Sequence, residues 1–66
     1  MIWFFQRDTE RLRYEIRHGR GDAAYELEIT YPDGRVDTEP IDEAADLLHR
    51  CAERARALKD AGWRAA

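Results

Sequence analysis

Apolar and polar residues alternate along the first half of the chain, and the alternation predicts a sheet. Residues 2–7 read as a first strand, but its opening does not alternate: Ile2, Trp3, Phe4 and Phe5 follow one another without a break. Successive side chains of a strand point to opposite faces, so this strand is apolar on both. Asp8-Thr9-Glu10 reads as a polar turn. In residues 11–18, Leu12, Tyr14 and Ile16 alternate with Arg11, Arg13, Glu15 and Arg17, the period of a half-buried strand. His18-Gly19-Arg20-Gly21-Asp22 supplies two glycines for a hairpin loop. A third strand over about 24–31 puts Tyr25, Leu27, Ile29 and Tyr31 on one face and Ala24, Glu26, Glu28 and Thr30 on the other.

Pro32-Asp33-Gly34 is the sharpest local signal. Proline presets its backbone angle for the second turn position, aspartate suits the third, and glycine takes the left-handed angle that closes a tight hairpin. A short fourth strand over about 35–38 is expected to bury Val36 and to end at Pro40.

From there the period changes to that of a helix. Ile41, Ala44, Ala45, Leu48, Cys51, Ala52, Ala55 and Leu58 recur at helical spacing and form one apolar stripe, rich enough in alanine for close approach to a sheet. Asp42 is the expected N-cap, with Glu43 and Asp46 in the first turn, where negative charge suits the helix dipole. Arg54, Arg56 and Lys59 lie toward the C-terminal end, Gly62 is the expected C-cap, and Trp63 is expected to fold back onto the sheet or the helix end.

The order strand-strand-strand-strand-helix predicts an α+β fold over residues 1–66 as a single domain: a four-stranded antiparallel meander with one C-terminal helix packed on one face. The whole chain resembles short uncharacterised bacterial proteins with an aromatic start, a Pro-Asp-Gly hairpin and a Gly-Trp ending. That resemblance implies the architecture and carries no activity. The element order is also similar to that of the dimeric single-strand-binding folds of the transcriptional coactivator and Whirly type, a likeness of topology alone.

The two greasy faces of strand one then become the central question. A single helix covers one face of a small sheet. With Arg7 opposite Leu12, Trp3 and Phe5 face the helix while Ile2 and Phe4 face outward; a one-residue slip reverses the two pairs. In either register an apolar pair lies outside, and burying each such side chain is worth about 1.5–3 kcal/mol. Elsewhere the outer face is polar and complementary, with Arg13 and Arg17 opposite or diagonal to Glu26 and Glu28. Two arrangements would cover the spare pair within one chain: Trp63 or the helix end folding across it, or an arginine stem lying over the ring.

Length sharpens the point. At 66 residues, marginal stability is usually relieved by disulfides, metals or oligomerisation. Cys51 is the only cysteine, so no internal disulfide forms, and no Cys/His cluster has zinc-finger spacing. Oligomerisation remains. The formal net charge is −3 and the signs alternate closely, without a basic or acidic tail. No apolar run is long enough to span a bilayer, and no secretion signal is legible, so a complete cytoplasmic protein is expected. The chain has no Ser and no Asn, and Arg greatly outnumbers Lys, a bias that suggests a GC-rich bacterial genome.

Candidate chemistry is sparse. Arg20-Gly21-Asp22 matches an integrin-recognition tripeptide but reads more simply as a turn. Cys51 lies on the apolar stripe, and His49, two residues away, projects from another side of the helix, so Cys51 reads as core rather than nucleophile. His49 can meet Asp46 and Glu53 as a solvated charge cluster, and His18 stands alone in a loop. Arg7, Arg11, Arg13 and Arg17, with Arg20, make the case for nucleic acid, with Phe4 or Trp3 as a stacking platform. Interleaved Asp8, Glu10 and Glu15 and the net acidity argue against it. No serine nucleophile, phosphate loop or metalloprotease pattern is present, and no catalytic, cofactor-binding or metal-binding residue is singled out.

The expectation is therefore a small cytoplasmic protein-interaction module, not an enzyme, forming a homodimer or docking on another protein. Its interface residues are drawn from Ile2, Phe4, Trp3 and Phe5. The alternatives are a single-stranded nucleic-acid binder using the strand-two arginines and a small acidic inhibitor or adaptor of a larger protein.

Overall fold

The computed structural model describes residues 1–66. In chain order its elements are β1 (Ile2–Arg7), β2 (Glu10–His18), β3 (Tyr25–Thr30), β4 (Val36–Ile41), α1 (Ala44–Asp60) and β5 (Arg64–Ala65). The strands form one antiparallel sheet in the order β4-β3-β2-β1-β5. The expected α+β meander with one C-terminal helix is present, and a fifth, two-residue strand adds to it by returning to pair with β1.

The β1–β2 turn is tighter than expected. Asp8 takes a left-handed backbone angle (φ 53°), which aspartate tolerates better than most residues, so Asp8 and Thr9 alone reverse the chain. Glu10 consequently belongs to β2 and pairs with Arg7, and Phe5 rather than Arg7 lies opposite Leu12. The expected register was off by two residues, an even number, so the face assignment survives. Trp3 and Phe5 share the helix-side face with Tyr14 and Leu12, while Ile2 and Phe4 share the outward face with Glu15 and Arg13.

At the β3–β4 hairpin, the amide of Gly34 donates to the Tyr31 carbonyl (2.9 Å), closing the turn with Pro32 and Asp33 in its centre. Gly34 at φ 89° is the left-handed residue of a bulge, and the Arg35 amide donates to the Asp33 carboxylate (2.9 Å). The extra residue of a bulge reverses parity. Val36 therefore pairs with Thr30 on the outward face, 51% exposed, where the sequence reading had it buried. Asp37, Glu39 and Ile41 are the inward residues of β4, since they pair with Ile29, Leu27 and Tyr25. Pro40 does not end this strand. It sits within β4, the sheet's outermost strand, where a missing backbone N–H leaves no neighbour unpaired.

The longer strand moves the helix start. Glu43, not Asp42, is the N-cap residue, and its side chain makes no capping bond. The inward stripe also differs from expectation by part of a turn: Leu47, Cys51 and Leu58 pack on the core, whereas Leu48 is 73% exposed. Arg50 and Arg54 lie beside this stripe. Both reach Glu39 on β4, with Arg50 Nε donating at 2.7 Å and Arg54 at 3.4 Å, so one flank of the buried helix face is ionic.

The helix ends in a Schellman motif. Gly62 adopts φ 93°, its amide donates to Lys59 O (2.9 Å), and the Trp63 amide donates to Leu58 O (2.9 Å). This turn folds Trp63 back into the core, as anticipated, and delivers Arg64 and Ala65 to the edge of β1, where the Ala66 amide donates to Phe4 O (2.9 Å). The core comprises Phe5, Leu12, Tyr14, Leu27, Ile29, Ile41, Leu58 and Trp63.

Glu39 has a depressed pKa because Arg50, and less strongly Arg54, hydrogen-bond its charged form. A carboxylate held below its ordinary value stabilises the fold at pH above that ordinary value and loses this contribution as pH falls through the depressed one. Glu39→Gln is expected to cost roughly 0.5–1 kcal/mol near neutrality and to flatten the acid limb of the stability–pH curve, read by urea titrations between about pH 3 and 7. An acid limb identical to that of the unaltered chain would show that the Glu39 ion pairs contribute nothing.

Candidate interaction surface

Side chains on the outward face of the sheet fall into rows across the strands. Arg17 lies opposite Glu26, Glu15 opposite both Glu28 and Ile2, and Arg13 opposite both Thr30 and Phe4. Arg11 lies opposite Gln6, which lies opposite Arg64. Ile2 and Phe4 are therefore the apolar border of a charged face, and they remain 48% and 40% exposed. Neither Trp63 nor the helix end crosses to cover them, because both lie on the other face. An arginine does cover part of one: the Arg11 guanidinium sits 4.5 Å from the Phe4 ring centroid.

Charge on this face is organised around Arg17. Its guanidinium bonds Glu26 through Nε (3.0 Å), reaches Glu28 through Nη2, and meets Glu15 through Nη1 (3.1 Å). These carboxylates, Glu28 first and Glu26 next, raise the pKa of Arg17 further above its already high ordinary value. The expected pairing of Arg17 with Glu26 and Glu28 is thus present. Arg13 instead reaches Glu15, on its own strand (3.4 Å).

The four arginines considered for nucleic acid do not form one surface. Arg7 pairs with Glu10 on the helix-side face, donates to Ala61 O (3.0 Å) and lies 4.4 Å from the Trp63 ring centroid. Arg13 and Arg17 are engaged by carboxylates, and Arg11 is stacked on Phe4. Arg64 is an outward-facing cation that the sequence reading missed, since nothing short of the β5 pairing indicates its face.

The four apolar residues proposed from strand one also divide. Phe5 is in the core and is no candidate for contact. Trp3 points to the helix side, yet it stays 41% exposed because α1 does not reach across to β1. Its ring packs edge-on against Tyr14 (5.6 Å between centroids), and an apolar cleft of about 190 Å³ opens between Trp3, Phe5, Tyr14, Cys51 and Ala55. The Tyr14 hydroxyl is buried there without a hydrogen-bond partner; burial, and then the neighbouring Cys51 thiol, push its pKa above the ordinary tyrosine value. A larger groove of about 650 Å³ continues past Met1, Ile16, Leu47 and Leu48.

The remaining candidates sit apart. His49 Nε2 meets Glu53 (3.1 Å) on the solvent side of α1, and His18 is exposed at the end of β2. Arg20, Gly21 and Asp22 are exposed in the β2–β3 loop. Cys51 is half-buried against Tyr14. No group of three His, Cys, Asp or Glu side chains converges in the way a metal set does, and no helix is long and apolar enough to cross a membrane. No family model, curated protein or solved structure matches this chain.

Proposed function

We propose that this chain is a small protein-interaction module of the bacterial cytoplasm that associates with a second copy of itself through the outward apolar residues of β1. The observation that carries the reading is the exposure of Ile2 and Phe4, side by side on one face and directly opposite the charged Glu15 and Arg13. Two such side chains moved from water into a contact contribute about 1.5–3 kcal/mol each when fully buried, more than an exposed ion pair. Chains of this length commonly draw on association to supplement a small core. The single free cysteine and the arginine-rich, serine-free composition support the assigned setting.

The test is the solution mass measured by light scattering or sedimentation equilibrium across a wide concentration range. The unaltered 7.8-kDa chain is expected to move toward twice its protomer mass as concentration rises. The double variant Ile2→Lys/Phe4→Lys, checked for fold by circular dichroism, is expected to hold the protomer mass throughout. A monomeric unaltered chain overturns the reading. So does assembly that survives Ile2→Lys/Phe4→Lys but is lost in Trp3→Lys, which would place the contact on the helix side.

A further inference from the structure

The outward face of the sheet is electrically polarised along the strand direction. One half holds Glu15, Glu26 and Glu28 around a single guanidinium, that of Arg17, leaving three carboxylates against one cation. The other half holds Arg11, Arg13 and Arg64, with Asp8 at its end beside Gln6 and Arg64. Arg11 and Arg64 have no ion-pair partner, and Arg13 reaches back across the boundary to Glu15. The apolar pair straddles that boundary, with Ile2 in the row of Glu15 and Phe4 in the row of Arg13.

We propose that a second copy seats on this outward face, sheet against sheet, about a two-fold axis that lies between the sheets and runs across the strands. The proposal rests on the self-association reading and specifies its face and orientation. Such an axis reverses strand direction between the copies while keeping β1 over β1. Row by row, Glu15 of each copy then lies over Arg13 of the other and Ile2 over Phe4, each twice by symmetry, while Arg17, already ringed by three carboxylates, lies over Arg11. The contact is isologous, as a closed dimer requires. Face-to-face sheets pack about 10 Å apart with strands nearly aligned, a spacing that accommodates one layer of side chains from each copy. The other in-plane axis, parallel to the strands, lays acid over acid and base over base, and like charges brought together across an interface are strongly disfavoured. Charge thus selects one stacking, and the apolar pair supplies the attraction at its boundary.

Three variants test the orientation by their dimer dissociation constants, each checked for fold by circular dichroism. Arg13→Glu sets Glu15 of each copy against a carboxylate of the other, and Glu15→Arg sets Arg13 of each copy against a guanidinium. Each is expected to weaken dimerisation by about 100-fold or more. The double variant Arg13→Glu/Glu15→Arg restores that pair with its polarity inverted, and it is expected to recover affinity to within about tenfold of the unaltered chain. Arg17 keeps Glu26 and Glu28 in all three variants, so each is expected to fold. A chain that dimerises with equal affinity in all variants overturns the stacking while leaving self-association intact, as would follow from pairing along the β4 edge. Loss without recovery in a folded Arg13→Glu/Glu15→Arg variant also overturns it. A chain that is monomeric before any substitution fails at the earlier reading.

Discussion

Leu12→Ala is expected to leave much of the population unfolded at 25 °C. Leu12 is fully buried in β2, the middle strand of the sheet, opposite Phe5 and within the cluster that joins the sheet to α1. Removing a buried leucine side chain typically costs about 2–5 kcal/mol, the sum of lost transfer energy and the cavity left behind. At a typical 0.05–0.15 kcal/mol per residue, a chain of this length has roughly 3–10 kcal/mol in total. With only eight buried residues, little of the surrounding core can close the gap. Urea unfolding followed by circular dichroism reads the effect directly. Leu12→Met conserves volume and is expected to lose less than about 1.5 kcal/mol. A Leu12→Ala midpoint within a few tenths of a molar of the unaltered chain would mean that the site is not the centre of the core.

Trp63→Ala is expected to act on a comparable scale, about 3–5 kcal/mol, for a different combination of reasons. Trp63 is buried, yet it lies beyond the helix and belongs to no regular element. It is held by the backbone bond to Leu58 O, by the core, and by the Arg7 guanidinium over its ring. A cation so placed adds about 0.5–1 kcal/mol at an exposed site. Without the ring, the three residues that follow lose the anchor that brings them to β1. Hydrogen exchange at the amides of Gln6 and Ala66 is therefore expected to accelerate beyond what the global loss of stability explains. Trp3 remains half-exposed, so the variant's fluorescence should shift toward that of solvated indole. Retention of slow exchange at Ala66 in Trp63→Ala would show that β5 holds without its anchor.

The legible part of this fold is the part governed by local periodicity. Leu12-Tyr14-Ile16 and Tyr25-Leu27-Ile29 mark their strands and inward faces without ambiguity, because a period of two has only two phases and one of them is charged. Pro32-Asp33-Gly34 marks its turn, and Gly62-Trp63 marks the helix end. The inward and outward assignment of β1 came through even with the wrong pairing partner, since the discrepancy was two residues rather than one.

The misread features share a cause: each depends on a contact between segments distant in sequence, or on a single residue that shifts phase. Val36 faces outward because Gly34 inserts a bulge, and a bulge is visible only once the partner strand is in place. Pro40 is tolerated because β4 turned out to be an outer strand. Leu48 is exposed because the inward stripe runs through Leu47, Cys51 and Leu58, and which of two adjacent leucines faces the sheet is set only when the helix docks.

For the candidate surface the division is the same. Four consecutive apolar residues in the opening strand, in a chain with one helix and too few residues for a second cover, already imply surplus apolar surface; alternation of side chains makes that unavoidable. How the surplus is distributed followed from packing. The helix docks beside Glu39 and leaves Trp3 half-uncovered, and Phe5 is absorbed into the core. The return of the last residues to β1 puts Arg64 on the outward face. Charges that alternate in the linear chain become segregated halves of a face only when β1, β2, β3 and β5 are set side by side, because rows across a sheet join residues that the chain itself keeps far apart.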